Sequence, residues 1–532
     1  MRYVRQSCCF RVCCVLAMLA CASTAHAQAF ADARTALAGY ARAELKPRKS
    51  CAEMSAYRDN DILELHSASI SAEETTPAQC RITGILRPEI AFEVSLPIEW
   101  NGRFYMIGNG GHAGESLEDP LRTAQRNAAL AMGFAFAQTN TGHDARREPG
   151  ATFVLSNPGK ALDYAYRAVH LTAVTAKALT AQYYGRAVLR SYWNSCSNGG
   201  RQGLIEAQRY PQDFDGLVVN APWVSQTGFT IGALWNQRAL SGVSLTAEKL
   251  ALVAAKVLEK CDALDGLKDG LIDDPRQCHF DPRADVPSCP TDSDAGECLT
   301  VAQAEAIAKI YRGPQSNGKT VFPGFMPGSE APVAGPQRSV SAWMNFIVPA
   351  VPEGRAADFN LAENTLRYLV FSPPKPDYDY RSFDFDRDLH LLDAWSRQVD
   401  AASTDLTKFR ARGGRLIMTY GWADQVLQPL MGVEYYEGVH ARYGARTTDF
   451  FRLFMVPGMT HCAGGNGTDR FDSVSALIDW VEKGRPPEML RATRVVAEHV
   501  VRSRPLCPYP QVARYSGVGS SDDMANFSCV AP

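Results

Sequence analysis

Apolar residues gather in short runs that stop at glycine or polar turns: Arg103-Phe104-Tyr105-Met106-Ile107 before Gly108, Phe134-Ala135-Phe136-Ala137 before Thr139, and Ser191-Tyr192-Trp193-Asn194 before Ser195. Runs bounded in this way predict buried strands. Between them, residues 161–182 repeat Ala, Leu, Val and Tyr at helical spacing, so strand, helix and strand alternate and the expected class is α/β. Two further strands are predicted over 415–420 and 450–456. From Trp223 to about residue 405 the strand rhythm disappears. That stretch holds four cysteines, an acidic turn and the proline-rich Ser372-Pro373-Pro374-Lys375-Pro376. It is read as a lid domain over 224–405, inserted between two parts of one core at 28–223 and 406–532.

The N-terminus changes the picture of where the chain works. Arg2, Arg5 and Arg11 precede an apolar run around Val15 to Ala20 and the small-residue pattern Ala25-His26-Ala27, which reads as a signal peptide over 1–27. The expectation is a secreted or periplasmic protein with no membrane attachment after cleavage, since no later apolar run is long enough to span a bilayer. A net charge of −2 provides no basic field for nucleic acid or an anionic membrane, so a small ligand is the expected partner. Of the fifteen cysteines, ten follow the leader, an even number that implies disulfides in an exported chain. Spacing alone suggests only short-range pairs, and no CxxC pair with metal-ligand spacing is present.

The candidate chemistry starts at Ser195-Cys196-Ser197-Asn198-Gly199-Gly200, between a predicted strand and a helix expected over 202–209. A serine on a tight strand-to-helix turn presents its hydroxyl above the sheet; the pattern is G-x-S-x-G with Ser195 in place of the first glycine. Tyr420-Gly421-Trp422-Ala423-Asp424 and Val456-Pro457-Gly458-Met459-Thr460-His461-Cys462 follow at the ends of the last two strands. Ser, Asp and His in that order define the α/β-hydrolase arrangement, with Ser197 as nucleophile, His461 as base and Asp424 orienting the imidazole. Two backbone donors must face the oxyanion. Asn198 supplies one; Gly111 in Gly108-Asn109-Gly110-Gly111-His112 is the expected second, with Gly110 as the alternative. His112, His143 and Asp144 raise a metallohydrolase reading, but there is no HExxH motif.

Cysteine beside the serine and cysteine beside the histidine, together with Trp100-Asn101-Gly102-Arg103-Phe104, Gly199-Gly200-Arg201-Gln202-Gly203 and Arg504-Pro505-Leu506-Cys507-Pro508-Tyr509-Pro510, resemble the tannase and feruloyl esterase family from about Cys51 onward. The resemblance implies an α/β-hydrolase core with a large inserted lid. It also implies five disulfides: Cys196 with Cys462, Cys51 with Cys80, Cys261 with Cys278, Cys289 with Cys298, and Cys507 with Cys529. The acidic turn from Cys261 to Asp273 lacks EF-hand spacing. The resemblance nonetheless implies a structural calcium ion there, with side-chain ligands Asp262, Asp265 and Asp269 and carbonyl ligands Leu267 and Leu271.

Family members act on esters of gallate, ferulate and terephthalate. The resulting expectation is a serine esterase cleaving feruloyl or galloyl esters, with a terephthalate monoester as the alternative substrate. An inactive ligand-binding homologue is the alternative of another class. Arg355 and Phe359 fall in a stretch loosely similar to the one that holds the ring and carboxylate in a terephthalate-cleaving member.

Overall fold

The computed structural model describes residues 29–40, 45–290, 294, 296–330, 342–349 and 354–532. The leader expected over 1–27 lies outside them. Nine strands form the central sheet: β1 Ile62–Ile70, β2 Gln79–Leu86, β3 Ile90–Pro97, β4 Arg103–Met106, β5 Ala135–Thr139, β6 Arg190–Cys196, β7 Gly216–Asn220, β8 Arg415–Gly421 and β9 Phe451–Val456. Their order across the sheet is β1-β2-β3-β5-β4-β6-β7-β8-β9. The first three pair antiparallel and β3 meets β5 antiparallel; from β5 to β9 every pairing is parallel.

The burial pattern follows from that division. Every residue of β4, β5 and β7 is buried, as expected of parallel strands covered by helices on both faces. β1 is the edge strand and has only Ile62 buried. Parallel register also brings the functional strand ends level. Cys196 lies opposite Asn220, Asn220 opposite Thr419, and Gly421 opposite Val456, so the residues after β6, β8 and β9 emerge along one edge. Ser197, Asp424 and His461 all follow these ends.

The helix expected over 161–182 is a composite. A short helix Lys160–Leu162 passes through one π-turn, Asp163–Arg167, into the helix Ala168–Tyr184, which stops at Gly185 with φ 65°. The helix expected over 202–209 runs Asn198–Arg209, starting directly at the nucleophile turn.

Between β7 and β8 the described chain is helical, apart from a hairpin of two-residue strands, Gln315–Ser316 and Lys319–Thr320. Leu250, Val253, Val257, Ile307, Ile310 and Trp343 form an apolar centre within this stretch. A second cluster joins Phe153 and Tyr164 of the core to Phe359, Leu366 and Trp395 of the insertion. All five expected disulfides are present, including Cys51–Cys80, Cys289–Cys298 and Cys507–Cys529. No helix among the described residues is long and apolar enough to cross a membrane.

One buried charge cluster ties the antiparallel part to the parallel part. Glu93 on β3 is fully buried; it accepts from Arg81 at 2.9 Å, Arg126 at 3.0 Å and Gln138 of β5 at 2.9 Å. Burial alone would raise its carboxyl, yet the two guanidiniums hold it below its ordinary value. Removing the anion leaves the buried Arg126 without a carboxylate, while Arg81 keeps Glu118. Glu93→Ala is expected to lower stability by about 3–5 kcal/mol, read as a lower urea midpoint at unchanged slope.

Candidate active site

Ser197 sits between β6 and its helix with φ 61° and ψ −126°, a conformation that L-residues rarely adopt. Three backbone hydrogen bonds hold it. Ser197 N–H donates to Asn220 C=O at 3.0 Å, and its C=O accepts from Arg201 at 3.1 Å and Trp223 at 3.0 Å.

Asp424 is fully buried and divides its two oxygens. Oδ1 accepts from the N–H groups of Val426 and Leu427, both at 2.8 Å, while Oδ2 lies 2.8 Å from His461 Nδ1. The carboxylate is thus fixed by backbone and left with one face for the imidazole. His461 N–H in turn donates to Gln425 Oε1 at 3.2 Å. The Cys196–Cys462 disulfide, with Cα atoms 6.0 Å apart, joins the residue before the serine to the residue after the histidine. A ring nitrogen of His461 lies within 4.8 Å of both sulfurs. Among the described residues His461 has no hydrogen bond to Ser197 Oγ; such bonds commonly close only around substrate.

The glycine-rich loop after β4 is shaped by groups that the sequence did not single out. Gly110 N–H donates to Glu115 Oε1 at 2.9 Å, which removes Gly110 as an oxyanion donor. Glu115 is itself held by Arg122 at 2.7 Å, and Arg122 also donates to Gly108 C=O and to Gln138. From the nucleophile helix, Gln202 Oε1 accepts from Asn109 N–H at 3.0 Å. The N–H groups of Gly111 and Asn198 have no acceptor among the described residues. Gly111 has φ 40°, its C=O accepts from Tyr164 Oη, and a Cβ built there would meet only Leu361 of the insertion, at 4.0 Å. Two free donors on a buried loop and a helix start are what an oxyanion requires.

Other expected residues lie elsewhere. Phe359 is 1% exposed, packed edge-to-face on Tyr380. Arg355 forms an ion pair with Glu363 and lies over the Phe359 ring. Both therefore have structural partners of their own. His112, His143 and Asp144 form no metal-ligand group among the described residues: His112 meets Thr365, His143 stacks on Phe153, and Asp144 pairs with Arg146.

In the acidic turn, closed by Cys261–Cys278, Asp262 accepts from the N–H groups of Asp269 and Gly270, and Asp269 meets Arg504 at 2.6 Å. Asp273 is pushed up to about 7 by burial and by the charges of Asp265 and Asp269. The carbonyls of Leu267 and Leu271 accept from no described residue. Mutually repelling carboxylates beside free carbonyls fit a hard divalent cation.

A mostly parallel sheet with Ser, Asp and His after β6, β8 and β9, in that chain order, defines an α/β hydrolase. A model of the tannase and feruloyl esterase family matches residues 75–530, and the chain belongs to that family. It is 37% identical to an uncharacterized esterase of Xanthomonas campestris pv. campestris, over 86% of this chain and 85% of that one. Identity to the mono(2-hydroxyethyl) terephthalate hydrolase of Piscinibacter sakaiensis is 32%, over 90% and 88%. The crystal structure of feruloyl esterase B from Aspergillus oryzae superposes with a TM-score of 0.76 at 28% identity, covering 90% of this chain and 100% of that one. The protein is a carboxylic ester hydrolase.

Two histidines beside the glycine-rich loop make the fold sensitive to acid. Burial first, then His143 and Arg201, lower His112 to about 3; burial lowers His143 to about 4. An unfolded histidine takes its proton near 6.5. Between those values the unfolded chain binds protons that the folded chain refuses, so this contribution to stability is lost as pH falls from about 6.5 toward 4. The melting temperature is expected to drop over that interval, and to drop less in His143→Phe.

Proposed function

We propose that the protein is an exported serine esterase that cleaves esters of aromatic acids, foremost feruloyl or galloyl esters, through an acyl-enzyme. The observation that carries this reading is the strained Ser197 turn, disulfide-linked to the loop whose His461 is held by Asp424.

Ser197 Oγ attacks the ester carbonyl while His461 takes its proton, and Asp424 stabilises the imidazolium so formed. The N–H groups of Asn198 and Gly111 receive the developing oxyanion. His461 then protonates the departing alcohol and activates the water that releases the acid. The aromatic acyl group is supported by what the names of the feruloyl esterase and terephthalate-ester relatives state. A terephthalate monoester is the second reading, favoured by the extended likeness to the Piscinibacter enzyme. Export is supported by five disulfides together with the leader-like N-terminus.

The deciding experiment is hydrolysis of methyl ferulate, methyl gallate and mono(2-hydroxyethyl) terephthalate by the mature protein. Turnover of at least one is expected, with kcat falling roughly 10⁶-fold in Ser197→Ala. Activity that survives the substitution overturns the serine mechanism, and inertness toward all three overturns the aromatic assignment.

The acidic turn is assigned to a structural calcium ion held by Asp262, Asp265 and Asp269 with the carbonyls of Leu267 and Leu271. Chelator-treated protein is then expected to melt several degrees lower, to be restored by Ca²⁺, and to lose that response in Asp265→Asn. A melting temperature indifferent to calcium would remove the ion from the assignment.

A further inference from the structure

At the far end of the nucleophile helix, about 12 Å along its axis from Asn198, three ligand-type side chains meet. Glu206 projects from this helix, His170 comes from the neighbouring helix Ala168–Tyr184, and Asp213 from the loop before β7. One oxygen from each carboxylate and a ring nitrogen of His170 all lie within 4.8 Å of one another. His170 Nδ1 is 2.6 Å from Asp213 Oδ2, and the imidazole is stacked on Tyr210 with ring centres 3.8 Å apart.

Glu206 is the group without a donor of its own: its carboxyl lies against that of Asp213, and the pair must hold either a proton or a cation between them. Glu206 is 1% exposed, and neither carboxylate oxygen meets a hydrogen-bond donor. Buried carboxylates are ordinarily paired, hydrogen-bonded or bound to a cation. Lys177 does not fill that role: its ammonium donates to Asp213 C=O at 2.8 Å and stands 3.5 Å from Asp213 Oδ1.

We propose that His170, Glu206 and Asp213 form a metal site, separate from the acidic turn, for a first-row divalent cation of the zinc type. One imidazole nitrogen with two carboxylate oxygens is a donor set zinc accepts, and ligand atoms within 4.8 Å of one another can close around an ion at bond lengths of about 2.0–2.2 Å. The His170 side chain keeps 29% of its surface open, which gives an ion its way in and a water the fourth position. An ion here pins the helix Ala168–Tyr184 to the end of the helix that begins at Asn198. Its distance from Ser197 makes it structural, and the inference does not depend on the ester substrate.

The test uses mature protein stripped of metal, returned to excess Ca²⁺ and titrated calorimetrically with ZnCl₂. One equivalent of zinc is expected to bind, with affinity weakened at least about tenfold in both Glu206→Gln and His170→Gln. Co²⁺ in place of zinc should give a visible absorption band that His170→Gln abolishes. Should Glu206→Gln fail to fold by circular dichroism, His170→Gln at its partly exposed position decides alone. Absence of zinc uptake by the wild type overturns the site, as does equal uptake by His170→Gln, which marks an adventitious ion only.

Discussion

The chemistry proposed for this molecule hangs on one cramped turn. A non-glycine residue in the conformation of Ser197 carries strain on the order of 1–3 kcal/mol, and it persists only where its surroundings leave no alternative. Two glycines create those surroundings. A Cβ at Gly199 would fall 1.9 Å from Ser195 Oγ, and one at Gly200 would fall 2.8 Å from Pro222 Cα. Ser195 stands where the usual motif has glycine, and the structure accommodates its hydroxyl over the bare backbone of Gly199. The replacement therefore makes Gly199 indispensable rather than distorting the turn. Across the disulfide, Cys462 also has a positive φ, 63°, so the bond joins two backbone segments that are each held out of the common conformations. Joining them fixes His461 relative to Ser197 before any substrate arrives.

The helix that begins at Asn198 extends this order to the glycine-rich loop after β4. Its Gln202 holds Asn109, and its Arg201, fully buried, donates to Asn198 Oδ1 at 2.7 Å and to the carbonyls of Ala165 and Val399. No carboxylate pairs with Arg201 among the described residues; carbonyl oxygens and the face of Tyr164, 5.1 Å away, surround its charge. The Glu115–Arg122 pair acts on the opposite side of the same loop. Both sides together leave Gly111 and Asn198 as the unspent donors.

What the sequence made legible follows from burial. β4, β5, β8 and β9 are covered on both faces, so their apolar runs stand out; β7, Gly216–Asn220, is as buried, but its apolar run is only Leu217 to Val219, too brief to predict a strand. β1 alternates against solvent and carries His66 and three serine or alanine positions, which hides it. The serine, aspartate and histidine could be read because each follows a strand end. Glu115, Arg122 and Gln202 could not, because they act through contacts such as Gln202 to Asn109, 93 residues apart, that no local pattern encodes. Phe359 shows that packing is equally hidden: its ring lies in the cluster that joins the insertion to the core, a contact its local sequence does not encode.

The insertion is clamped at its base. Asp400, where the lid returns to the core, accepts from Gln226 N–H at 2.8 Å, Ser225 Oγ at 3.0 Å and Ser396 Oγ at 2.8 Å, while Ala401 N–H donates to Val224 C=O at 2.8 Å. Trp395 Nε1 reaches Gln226 Oε1, and Arg201 holds Val399 C=O. Departure and return of the lid thus meet at one buried network beside the nucleophile helix. Farther along the insertion, Leu361 leans over Gly111. The base of the insertion is thereby bound to the helix that begins at Asn198, while its span reaches the glycine-rich loop after β4 through Leu361.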